Sequence, residues 1–221
     1  MLMLWSSVAD SLHSFVQVFS ALFPVINPPG MALFFLALTR KAGRDRRTAL
    51  ARRIAFYSLL VIGVSYSIGK FILIFMGISI PVMQVAGGMV LVSAGWRFLN
   101  ETRAQDETSV DVGGGSGDLE RIAFYPLTMP ITTGPGTISV AIALGTTLPM
   151  RIPVMLGVLV AIVMIATSIY LCYRYSDRIE GALGQTGSEA LSRLFAFILI
   201  CIGVQILWDG FSELWKSLPP R

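Results

Sequence analysis

Charge is scarce in this sequence: 14% of its 221 residues are Asp, Glu, Lys or Arg, against about a quarter in an ordinary soluble domain. With 54% hydrophobic residues and a mean hydropathy of +0.72, a water-solvated globule is excluded. Cysteine is scarcer still. Cys172 and Cys201 both fall inside apolar stretches far apart in sequence, which argues against a disulfide framework and for two small buried side chains. His13 is the single histidine. With no His-Glu-x-x-His pattern, no Asp pair within an apolar run and no serine with a histidine partner, intramembrane hydrolysis is set aside. The chain is expected to be no enzyme and to use no cofactor or metal.

What the chain has is apolar length. A bilayer-crossing helix needs roughly 20 predominantly apolar residues, and six stretches meet that, at about 14–38, 54–76, 79–99, 122–147, 152–174 and 191–212. The first has no basic region before it and no cleavage-like ending, so it reads as a mature span and not as a signal peptide. The net charge of +4 sits beside helix ends and reports orientation; nucleic acid is not an expected partner. Arg40, Lys41, Arg44, Arg46, Arg47, Arg52 and Arg53 lie between the first two spans, and the positive-inside rule places that loop in the cytoplasm. Both termini are then extracytoplasmic.

Residues 100–120 form an acidic linker around Gly113, Gly114, Gly115, Ser116 and Gly117, expected to be flexible and cytoplasmic. It separates two halves of three spans, 1–99 and 121–221, within a single membrane domain, and the halves repeat. Pro24-Val25-Ile26-Asn27-Pro28-Pro29-Gly30 overlays Pro130-Ile131-Thr132-Thr133-Gly134-Pro135-Gly136 as Pro-x-x-[Asn/Thr]-x-Pro-Gly, and Gly95 and Gly203 follow at similar intervals, 65 and 67 residues on. Three spans is an odd number, so the second half enters the membrane from the opposite side. The expected fold is all-α and integral to the membrane: six transmembrane helices as two inverted-topology repeats, an arrangement found in secondary transporters.

Proline lacks an amide hydrogen and clashes with the preceding turn, so Pro28-Pro29 and Pro135, each followed by glycine, predict breaks in the first and fourth helices. Asn27 and Thr133 are suited to cap the restarting half-helices, with Pro28 at the first helical position. Each break would leave carbonyls open over Phe23–Ile26 and Met129–Thr132, and amides open near Gly30-Met31 and Gly136-Thr137. Such groups cannot face lipid. Amides at a helix start suit a carboxylate and carbonyls at a helix end suit an ammonium, so a zwitterion satisfies both. The candidate substrate-binding set is Asn27, Pro28, Pro29, Gly30, Thr132, Thr133, Gly134, Pro135 and Gly136.

Asn27-Pro28-Pro29-Gly30 with its apolar half-span, and Pro126-Leu127-Thr128-Met129-Pro130-Ile131-Thr132-Thr133-Gly134-Pro135-Gly136-Thr137-Ile138-Ser139, resemble the MarC family of bacterial inner-membrane proteins over essentially the whole chain. That resemblance implies movement of small neutral amino acids such as alanine and glycine, by efflux or exchange, across the bacterial inner membrane. No Asp or Glu lies near the centre of a span, so the coupling ion, a proton or Na+, is left open. Lys70 is placed to snorkel to the interface. Asp209, Glu213 and His13 fall at outer span ends. Gln84 and Gln205 either line a cavity or join helices. Glycines 87, 88, 95, 157 and 203 are read as close-packing positions. An electron-relay enzyme is disfavoured because neither break carries a cysteine, and a non-transporting scaffold is the remaining alternative.

Overall fold

The computed structural model describes residues 2–40, 42–100 and 121–217, and among these every regular element is helical. Apart from Asn100, the acidic linker expected at 100–120 lies outside the described residues. The helices are α1 (Leu2–Ile26), α2 (Pro28–Leu38), α3 (Arg44–Phe75), α4 (Ile80–Asn100), α5 (Ala123–Thr132), α6 (Pro135–Thr147), α7 (Ile152–Arg174) and α8 (Ser176–Lys216).

Among the described residues, four stretches are long and apolar enough to cross a membrane: Ser7–Leu38, which joins α1 and α2, then Arg44–Phe75, Ile152–Arg174 and Glu189–Lys216. The pair α5 and α6, bent by 68° at its break, makes a fifth if taken as one span. α4, of 21 residues, is not among these five. α8 is kinked at Gly184, whose φ of 67° only glycine adopts without strain.

In a bilayer, contact between helices gains little from hiding apolar surface; packing density and interhelical hydrogen bonds decide it. Small residues therefore mark each crossing. On α1, the Ser11 and Ser14 hydroxyls donate to the Pro153 and Val154 carbonyls of α7 at 2.7 and 3.1 Å. Gly157 makes room: a Cβ there would lie 2.1 Å from the Ser11 carbonyl oxygen. α4 and α8 run antiparallel, with Gly88 against Gly203, Gly95 against the Ala196 carbonyl and Gly210 against that of Pro81. α6 meets α3 at Gly145, where a Cβ would fall 2.1 Å from the Tyr66 carbonyl oxygen.

The remaining contacts place the broken helices. α2 packs on α7 and α8, and α6 on α3 and α4; α1 lies along α7, and α5 along α3. Val18, Leu22 and Ile26 of α1, Leu50 and Ile54 of α3, and Ile165 and Ile169 of α7 are buried in the resulting core. Phe56, Leu60, Val64, Phe71, Leu156, Leu159 and Val163 project outward and exposed, as a lipid-facing surface requires. Lys70 is exposed, while Cys172 is half-buried on α7 and Cys201 exposed on α8, both as free thiols.

Candidate functional site

The first break is one residue wide. α1 closes with the Asn27 amide donating to the Phe23 carbonyl at 2.8 Å, and α2 restarts at Pro28. Between them Asn27 takes a left-handed conformation, φ 48° and ψ 60°, the one positive φ of a non-glycine residue among those described. Asparagine visits this region more readily than most side chains because its short amide bonds to nearby backbone. Here Oδ1 accepts the Gly30 amide at 3.3 Å, and the Asn27 carbonyl accepts the Met31 amide at 3.0 Å. Asn27 therefore caps α2 as expected.

That cap also corrects an expectation. Pro28 and Pro29 have no amide hydrogen, and the Gly30 and Met31 amides are both taken by Asn27, so the open donors expected at this restart are absent. What remains are acceptors. The carbonyls of Pro24, Val25 and Ile26 would ordinarily take amides four residues on, from Pro28, Pro29 and Gly30, and none of these is free to give one. The donor left at this break is the Asn27 side-chain Nδ2.

The second break is built differently. α5 is a wide, irregular helix: Tyr125 and Met129 are extended, with φ −127° and −117°, because a residue before proline is pushed out of the helical region. Threonine hydroxyls reach back along this wide helix to backbone carbonyls. Thr128 Oγ1 donates to the Ala123 carbonyl at 2.6 Å, Thr132 Oγ1 to Leu127 at 2.7 Å and Thr133 Oγ1 to Thr128 at 3.2 Å, each five residues back. The Thr133 amide also reaches the Thr128 carbonyl, at 2.8 Å.

Thr133 thus closes α5 and does not cap α6, contrary to the sequence expectation. Its hydroxyl turns backward to the Thr128 carbonyl, which its own amide also reaches. The residue at the N-cap of α6 is Gly134, with no side chain to cap, and a Cβ there would fall 2.6 Å from the Pro130 carbonyl oxygen. Pro135 occupies the first helical position. The next amides, of Gly136 and Thr137, precede the first amide that closes within the helix, Ile138 onto Gly134 at 3.1 Å. Thr137 is 2% exposed, and its hydroxyl has no partner among the described residues. This break offers donors.

Of the candidate residues, Asn27, Pro28, Gly30, Thr132, Thr133 and Gly136 are buried, Pro29 and Gly134 half-buried, and Pro135 exposed. Two residues outside the candidate set belong to the region. Tyr173 of α7, 1% exposed, stacks on Phe35 of α2 with centroids 4.7 Å apart and meets Thr132 Oγ1 at 2.8 Å. Thr132 spends its one proton on Leu127, so Tyr173 is the donor. Thr137 is the other, and its place in the motif after Gly136 was the available signal; a lone tyrosine at the end of an aliphatic span carried little.

Apolar side chains from α4 and α8 close in around the breaks. A Cβ on Gly30 would meet the Phe195 ring at 2.7 Å, and one on Gly136 would meet Leu91 at 2.3 Å. Val25, Leu91 and Leu199 form their own buried cluster, with Val140 of α6 packed against it. These residues carry no carboxylate, amine, guanidinium or imidazole, so the region acts through backbone dipoles and amide or hydroxyl groups. Gln84 lies at the α4–α8 seam, where its Cβ would contact a Cβ on Gly210, and Gln205 bonds Asp209 on its own helix at 2.8 Å.

A family model described as "MarC family integral membrane protein" matches residues 12–215. Among curated relatives, the "UPF0056 inner membrane protein MarC" of Salmonella paratyphi B is 32% identical over 206 residues, covering 89% of this chain and 93% of the relative. That of Citrobacter koseri is 33% identical over 209 residues, with the same coverage. A "UPF0056 membrane protein" of Archaeoglobus fulgidus is 31% identical over 217 residues, covering 96% of this chain and 98% of the relative. No solved structure matches the chain.

Proposed function

The chain belongs to the MarC family of integral membrane proteins, and from that premise we propose that it is a secondary transporter of small neutral amino acids, working by efflux or exchange. The observation that carries the reading is the complementary chemistry of the two breaks. One holds the Pro24, Val25 and Ile26 carbonyls beside Asn27 Nδ2; the other holds the Gly136 and Thr137 amides beside the Thr137 hydroxyl. Carbonyl oxygens suit an ammonium group, and amides at a helix start suit a carboxylate. A substrate carrying one of each, with a small side chain between, satisfies both without any ionised protein group.

Packing supports the accompanying reading of six spans in two inverted repeats. Exchanging α1, α2, α3 and α4 with α5, α6, α7 and α8 maps each principal contact onto another: α1 on α7 becomes α5 on α3, and α2 on α7 and α8 becomes α6 on α3 and α4. α3 with α7 and α4 with α8 map onto themselves. Rocking of one repeat against the other about these self-paired contacts gives alternating access. The relatives named as inner-membrane proteins support the same location for this chain, and the arginine distribution supports extracytoplasmic termini. The coupling ion, a proton or Na+, is a matter for flux measurements.

Equilibrium binding of labelled alanine and glycine to the purified full chain tests this reading. Saturable binding is expected, competed by unlabelled neutral amino acids and not by an amine or a carboxylic acid alone. Binding of the amine or acid as tight as that of the amino acid, or no binding at all, rejects it.

A further inference from the structure

Away from the helix breaks, the first turns of α3 and the junction of α7 with α8 enclose a cleft of about 420 Å³ lined by Arg44, Asp45, Thr48, Arg174, Tyr175 and Arg178. We propose that this cleft is a binding site for a phosphate-type anion, held by the guanidinium groups of Arg44, Arg174 and Arg178. It is independent of the transport reading.

Three guanidinium groups from three elements share this space with one carboxylate, Asp45. The neighbouring acids are engaged outside it: Asp177 pairs with Arg47 at 2.9 Å and Glu180 with Arg40 at 3.1 Å. These two bridges fasten the start of α8 to the loop and first turn of α3, which keeps the cleft's walls together. The Tyr175 ring holds two of the cations close despite their repulsion, with the Arg174 and Arg178 guanidinium carbons 5.6 and 5.1 Å from its centroid. Arg174 spends one N–H on the Tyr170 hydroxyl. Its stacking face is used, and its remaining edge is available for a planar, two-point contact.

The geometry selects among anions. The two oxygens of a carboxylate lie in one plane, whereas the oxygens of a phosphate group are arranged tetrahedrally and can face arginines arriving from different elements. α3 adds the positive end of its dipole, since Gly43 leaves its first turn without a side-chain cap. A cleft of this size lies within the range of small-ligand sites, roughly 300–1,000 Å³. The ligand is a lipid phosphodiester headgroup or free phosphate, which share this chemistry.

Two arms separate these sources at fixed ionic strength, both reading the melting temperature of the full chain. One uses nanodiscs of phosphatidylcholine with increasing phosphatidylglycerol; the other uses uncharged detergent with inorganic phosphate replacing chloride. The variants are Arg44→Gln/Arg174→Gln/Arg178→Gln and a charge-matched control, Arg52→Gln/Arg97→Gln/Arg121→Gln, whose residues are exposed and outside the cleft. A saturable rise in one arm is expected for wild type and control, with the cleft variant needing about tenfold or more ligand for the same shift. A rise with phosphatidylglycerol alone assigns a lipid headgroup, and one with phosphate in detergent assigns a soluble anion. No saturable rise in either arm, or one equal in the cleft variant and wild type, overturns the proposal.

Discussion

Asn27 carries two local duties, holding a left-handed backbone and accepting the Gly30 amide, and substitutions separate them. Asn27→Gly keeps the backbone conformation and loses the cap; Asn27→Ala loses the cap and strains the backbone as well. Losing an N-cap oxygen to alanine costs about 1 kcal/mol, and a left-handed residue with a Cβ costs roughly 1–2 kcal/mol more. Thermal unfolding in detergent should rank the variants wild type, Asn27→Gly, Asn27→Ala; equal melting of the two variants would remove the backbone from the account. Tyr173→Phe deletes one buried hydroxyl while preserving the stack on Phe35, and should lower stability by about 1 kcal/mol. Asn27 was legible in the sequence because Asn-Pro-Pro-Gly combines a cap residue with two residues that cannot donate. Thr133 was not, because its hydroxyl turns back to the Thr128 carbonyl of α5, and a threonine before glycine reads the same either way.

The seam between α4 and α8 depends on backbone approaching backbone. A Cβ on Gly88 would lie 2.6 Å from the Gly203 carbonyl oxygen, and one on Gly203 would lie 2.9 Å from that of Gly88. Neither neighbour is a flexible side chain that could swing away. Gly88→Leu or Gly203→Leu should therefore abolish recovery of monodisperse protein, while Gly181→Ala, where a Cβ meets nothing within 4 Å, should leave yield and melting unchanged. Normal melting of both seam variants would contradict the packing. Next to this seam, Leu91 and Leu199 stand with Val25 and Val140 beside the breaks. In competition binding, Leu199→Ala should improve the relative affinity for valine over alanine; unchanged selectivity would show that this cluster does not limit substrate size. The close-packing role of the glycines was legible from their setting in apolar runs, and the structure puts Gly87, Gly88, Gly95, Gly157 and Gly203 each against a neighbouring helix. The partner helices were not legible, because spacing along one helix does not say what faces it.

For the whole molecule, apolar length and proline breaks were enough to identify an all-helical membrane protein with interrupted spans. The count of spans was harder. Among the described residues five stretches have the length and apolarity of a crossing when the bent pair α5 and α6 counts as one, against the six expected from the sequence. The inverted arrangement makes a topological prediction that packing alone does not test. Single cysteines at Gly43 and Gly181, in a background with Cys172 and Cys201 replaced, should react with membrane-impermeant thiol reagent only from the cytoplasmic side, and cysteines at Gly77 and Pro149 only from the other. Labelling of Gly77 and Gly181 variants from the same side would break the six-span scheme.

The central claim is that a small amino acid crosses the membrane through the paired helix breaks. The most direct test is counterflow of labelled alanine into alanine-loaded proteoliposomes, comparing the wild-type chain with Thr137→Val, which removes one buried hydroxyl and little volume. The account predicts saturable exchange by the wild type and about tenfold less by the variant, with equal reconstitution and melting. Absence of exchange for both alanine and glycine, or equal exchange by the two proteins, would contradict it.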